Sequence, residues 1–147
     1  NASEVEPWPA TPGRLGRSEM PALGGHTMRP MSLEWEQIVV DADDPASLGS
    51  WWREALGWVI VNDDPEEFEI RPAADRFPGL LFVRVDETKA AKNRLHLDFR
   101  PDDQTREVDR LLDLGASRAD IGQGHQTWVV LADPEGNEFC VLSSPTR

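Results

Sequence analysis

Two hydrophobic periods alternate along this chain, and they recur in the same order twice. From Leu33 to about Asp41 a run rich in β-branched residues predicts a strand. Asp44 and Pro45 then open a helix: the aspartate caps free N–H groups, and proline loses nothing at the first helical position. Gly57 stops that helix at about Leu56. Three shorter strands are predicted near Trp58–Asn62, Glu67–Arg71 and Leu80–Val85. After the linker "DETKAAKN" the order restarts, with a strand at about Arg94–Arg100 and a helix at about Asp103–Leu114. Val108, Leu111 and Leu112 share one face of that helix, and Gly115 ends it. Strands near Ser117–Ile121, Thr127–Leu131 and Glu138–Leu142 close the second half.

The residues repeat as well as the pattern. "EQIVVDADDPASLGSWWREALGW" parallels "LHLDFRPDDQTREVDRLLDLGAS" as strand, acidic turn, helix and Leu-Gly stop. Gln37 pairs with His96 and Asp44 with Asp103 at an offset of 59, Gly57 with Gly115 at 58, and Gly79 with Gly136 at 57. Small loop differences produce such a drift, so the chain reads as an internal duplication of a β-α-β-β-β unit. One domain is expected over residues 33–144, with modules at 33–86 and 93–144. Residues 1–32 are rich in proline and glycine and read as an extended arm, placed to contact a neighbouring subunit. The leading Asn-Ala is compatible with an expression remnant, and Met28 or Met31 with a natural start.

Charge narrows the choice of partners. The formal net charge is −12, and the three acids of residues 1–32 cancel its three arginines, so the whole excess lies in residues 33–147. Such a domain repels phosphate backbones and anionic lipid, which argues against nucleic acid and membranes, and it admits a cationic or neutral ligand more readily. Six tryptophans and no tyrosine supply flat surfaces for a core or for a pocket taking a planar molecule. No apolar run is long enough to span a bilayer, and no basic flank precedes an apolar core at the N-terminus, so neither membrane span nor signal peptide is expected. A single cysteine fits a reducing cytoplasm.

Candidate chemistry lies on the fifth and eighth strands. Leu95, Leu97 and Phe99 alternate with His96, Asp98 and Arg100, so an apolar face packs on a helix while His96 and Asp98 face the other side. Duplication puts Gln37 at the place of His96, and Trp35 lies on the face of Gln37, as a cleft wall or as core. Cys140 points away from Phe139 and Val141; a small buried filler is the plainer role for it than a nucleophile. Of the adjacent Trp51 and Trp52, at least one is expected to face away from the core and seal a cleft or interface. The cluster "LADPEGNEFCVL" holds three carboxylates, but Asp133, Pro134 and Gly136 fit a type I turn, so a hairpin is expected before catalysis.

The duplication, the histidine of "KNRLHLDF", the "LLDLGAS" helix end and the closing "DPEGNEFCVL" together resemble the vicinal oxygen chelate superfamily, which includes glyoxalase I, extradiol dioxygenases and bleomycin-resistance proteins. The glyoxalase-like subgroup is the nearest in pattern, over about Leu33 to Ser143. The resemblance implies an α+β fold of two tandem βαβββ modules forming an incomplete barrel, commonly dimeric. In its metal-using members a divalent ion is held from the first, fourth, fifth and eighth strands. Carried over, that places Gln37 and His96 as metal ligands, finds none in "LLFVRV", and puts Cys140 where a glutamate is needed. The missing glutamate also removes a general base. The expectation is therefore a glyoxalase/bleomycin-resistance-like homodimer binding a small organic ligand, with no cofactor beyond at most a weakly bound divalent metal. The ligand-lining set is Trp35, Gln37, Phe82, His96, Asp98 and Cys140. The alternative is a metal-dependent lyase, isomerase or dioxygenase using Gln37 and His96.

Overall fold

The computed structural model describes residues 33–145, so the proline-rich arm lies outside the described residues. Eight strands and two helices follow in the predicted order. β1 (Gln37–Ala42), α1 (Pro45–Leu56), β2 (Val59–Asp63), β3 (Glu67–Arg71) and β4 (Gly79–Arg84) make the first module. β5 (Leu97–Phe99), α2 (Gln104–Leu114), β6 (Ser117–Arg118), β7 (Val129–Ala132) and β8 (Glu138–Val141) make the second. Each module forms one four-stranded sheet, in the orders β1-β4-β3-β2 and β5-β8-β7-β6. In both, the first strand runs parallel to the last and the other pairs are antiparallel. The repeat seen in sequence is thus a repeat of topology.

Local chemistry sets the helix ends as expected. Asp44 caps α1 by accepting from Ser47 N at 3.0 Å, and Asp103 caps α2 by accepting from Arg106 N at 3.0 Å. Gly57 and Gly115 end the helices with φ of 67° and 113°, a region where a side chain is strained.

Strand five differs from the sequence expectation. It shrinks to three residues, because β8 is its only neighbour and pairing begins at Leu97 opposite Phe139. Leu97 and Phe99 pack on the core, but Leu95 is 85% exposed, and His96 lies just before the strand.

Helix α1 is the element both modules share. Leu48 and Gly49 face the first sheet, and Gly49 lies so close to Phe68 of β3 that a Cβ there would overlap the Phe68 ring. Trp51 and Trp52 face the second sheet, which overturns the expectation that one of them turns outward. Both are buried, because the duplicated sheet offers the same helix a second apolar surface. Trp52 meets Phe139 and Phe99 with ring centroids 5.0 and 5.8 Å away, and Trp51 meets Phe139 at 6.1 Å.

Their indole N–H groups are satisfied across the module boundary. Trp51 donates to Leu114 O at 3.1 Å and Trp52 to Asp133 Oδ2 at 2.9 Å. Asp133 is 3% exposed and also accepts from Glu135 N, Asn137 N and the Asn137 amide. Gly136 N donates to Asp133 O at 2.9 Å and closes the predicted turn. Glu135 reaches across to accept from Asp43 N and Asp44 N, each at 2.9 Å, at the start of α1. Asp133 and Glu135 of "DPEGNE" therefore join the hairpin to the first helix.

Two stability outcomes follow from this packing. Gly49→Ala is expected to lower the unfolding free energy by about 2 kcal/mol, since overpacking outweighs the gain in helix propensity. Asp133→Ala is expected to cost ~3 kcal/mol, because several buried donors lose their acceptor together. Urea titrations of the three proteins check both; a neutral or stabilising Gly49→Ala would show that α1 can move off β3.

Candidate functional site

A cavity of about 860 Å³ lies beside β1, and its walls come from both modules. Trp35, Gln37, Val39 and Asp41 form one wall. The opposite wall is the segment leading into β5, with Lys89, Asn93, Arg94, Leu95 and His96. Asp133, Glu135 and Glu138 of the β7–β8 hairpin also line it, together with Trp52 and Phe139. Volume and mixed lining suit a small organic molecule.

Most of the carboxylates here are already bound within the protein. Asp133 and Glu135 hold the contacts described above. Glu138 accepts from Lys89 Nζ at 2.8 Å and from Asn93 N at 3.0 Å. Burial opposes ionisation of Glu138, but the Lys89 ammonium and the neighbouring backbone N–H groups outweigh it and hold the carboxyl below its ordinary range. This pair fixes the linker wall to β8.

The sequence-predicted residues divide into two groups. Trp35, Gln37 and His96 come together around the cavity, with Trp35 65% exposed. Phe82 does not join them: it is fully buried in the core and is not among the residues lining this cavity. Asp98 and Cys140 sit opposite each other in the β5–β8 register, away from the cavity lining. Sequence reasoning passed over Glu138, Lys89 and Arg94. The acid–base pair was hidden because Lys89 and Glu138 are 49 residues apart.

Cys140 is 5% exposed, and burial pushes its thiol up to about 11, helped by a hydrogen bond to Asp98 and by that carboxylate's charge. Lys92 acts in the opposite direction and is outweighed. The thiol is therefore protonated near neutrality.

This donor set does not fit a divalent ion. His96 Nε2 lies 3.1 Å from Lys92 Nζ and 3.0 Å from Asn93 O. One ring nitrogen cannot donate and accept at once, so only one contact holds at a time, and either one occupies the nitrogen. An ammonium beside the imidazole also repels a second cation. Among the described residues, no three His, Cys, Asp or Glu side chains converge as ligands.

Comparison with known proteins agrees with the topology. The glyoxalase-like domain family matches residues 37–142. The chain belongs to that family. No curated protein matches it significantly. Solved structures of the glyoxalase/bleomycin resistance/dioxygenase superfamily share the fold. A glyoxalase-related enzyme from Fulvimarina pelagi is 17% identical, with 76% of this chain and 88% of that one covered at a TM-score of 0.57. A family enzyme from Burkholderia phytofirmans PsJN is 17% identical, covering 74% and 97% at 0.55. A bleomycin resistance determinant encoded on the transposon Tn5 is 18% identical, covering 78% and 100% at 0.51. Gln37, His96 and Cys140 are the residues this chain carries where the resemblance leads one to expect metal ligands.

The thiol gives a checkable pH dependence. With its pKa raised in the folded state, the native protein holds the Cys140 proton where the unfolded chain has begun to lose it. Its contribution to stability is complete below about 9, the ordinary value, and is lost as pH rises towards about 11. Wild type is expected to lose stability faster than Cys140→Ala across that window, measured by urea unfolding at stepped pH. Equal slopes would show that the thiol is not held as described.

Proposed function

We propose that this glyoxalase-like domain binds a small organic ligand, with a planar portion, in the cavity between β1 and the segment entering β5, without a tightly held metal. One observation carries the reading: Trp35 and Gln37 line a single cavity of about 860 Å³ with His96, which is far from both in sequence. The exposed indole of Trp35 offers a surface for stacking, and the Gln37 amide offers both a donor and an acceptor. The same reading takes the protein as a cytoplasmic homodimer. Val59, Ile60 and Val61 support the second copy: all are exposed and lie on β2, the outer strand of the first sheet. Among the described residues no helix is long and apolar enough to cross a membrane.

A thermal-shift panel of planar metabolites and drug-like compounds, followed by calorimetric titration of any hit, tests this proposal. Trp35→Ala and Gln37→Ala are each expected to weaken the hit by about tenfold, the scale of one good contact, with the unfolding midpoint unchanged. A panel with no saturable ligand would sink the proposal. Roughly stoichiometric Ni, Zn, Mn or Fe that His96→Ala removes would replace it with a metal enzyme.

A further inference from the structure

Between Thr88 and Leu97 the chain carries Lys89, Lys92, Arg94 and His96 and no acid, in a protein whose net charge is −12. This stretch supplies one wall of the cavity. Five carboxylates line the cavity, and three of them have their oxygens already occupied by donors of the protein. Asp133 is surrounded by Trp52, Asn137 and backbone donors, Glu135 is held by the start of α1, and Glu138 is held by Lys89. Asp41 and Glu87 remain, and Asp41 stands four positions along β1 from Gln37, about 13 Å at strand rise.

The bases on the linker wall are freer. Arg94 lines the cavity, is exposed, and enters no ion pair among the described residues. The Lys92 ammonium has no carboxylate within ion-pair distance among the described residues; it rests 3.1 Å from His96 Nε2. Glu87 and Asp98 are the acids nearest to Lys92 in sequence on either side, and neither forms an ion pair with it among the described residues. Two positive charges and an imidazole are thus gathered where the resemblance would put a metal ligand.

We infer that this wall recognises an anionic group, so that the ligand is a small aromatic carboxylate, with Arg94 as the direct contact and Lys92, held against His96, adding charge beside it. A guanidinium presents parallel donors that match a carboxylate, and an ammonium supplies the point charge that a metal ion would otherwise supply. Trp35, across the cavity, takes the ring. This departs from the preference for cations that the net charge alone suggests, because it rests on a direct contact with Arg94 and not on the summed field of the domain. The inference rests on the cavity reading above.

Benzoate, benzyl alcohol and benzylamine form a matched probe set. Each is titrated by calorimetry at neutral pH into the full chain and into Arg94→Gln and Lys92→Met. Benzoate is expected to bind most tightly and to lose about tenfold in affinity in each variant, with unfolding midpoints unchanged. Benzyl alcohol is expected to bind more weakly and to be indifferent to both substitutions. Benzylamine preferred over benzoate overturns the inference. So does benzoate bound equally well by all three proteins. A ligand from the wider panel that Trp35→Ala weakens, but neither basic substitution affects, leaves the cavity reading standing and sinks this one. Failure of every probe and every panel compound sinks both.

Discussion

The hydrogen bond from the Trp52 indole to the buried Asp133 carboxylate is the constraint on which the two modules depend. A carboxylate 3% exposed is tolerable only when its oxygens are occupied, and here an indole, a side-chain amide and backbone N–H groups occupy them. Meeting that requirement orients the β7–β8 hairpin against α1. Glu135 then adds a second link to the same helix, and the edge-on and tilted rings of Trp52, Phe99 and Phe139 pack together in the core. One helix is held to both sheets in part because one buried acid accepts hydrogen bonds from both modules.

The cavity follows from that junction. Trp52, Phe139 and the hairpin acids form part of its lining, so the groups that fasten the modules together also shape the site. Glu138 has the same double role, since Lys89 and Asn93 N–H tie the linker to β8 and hold the basic stretch in place. Carboxylates used this way cannot also receive a cationic ligand. Asp133 and Glu135 keep their charge, but their acceptor oxygens are occupied by the fold and are not open to a ligand.

Much of the fold was legible along the chain. Helix limits were readable because capping aspartates, Pro45 and the terminal glycines act over a few residues. The strand order was implied once the repeat was seen, since two copies of one pattern adopt one topology. Gln37, His96 and Trp35 were found through the duplication and through alternation. Phe82 was misplaced because alternation says which residues share a face and not how deeply each is buried. Strand five was read too long because hydrophobic alternation continues through Leu95 while its partner strand does not.

Sequence alone determined the duplication, the class of fold and the turn at Asp133, because each is written in residues close together or at a fixed repeat. Tertiary structure alone decided the burial of both Trp51 and Trp52, the pairing of Lys89 with Glu138, and the occupation of His96 by Lys92 and Asn93. The first two depend on contacts between distant segments, which periodicity does not encode. The last joins residues only four apart, but in a loop, where spacing implies no geometry. What a charged side chain does in this site depends on the partner that folding places beside it.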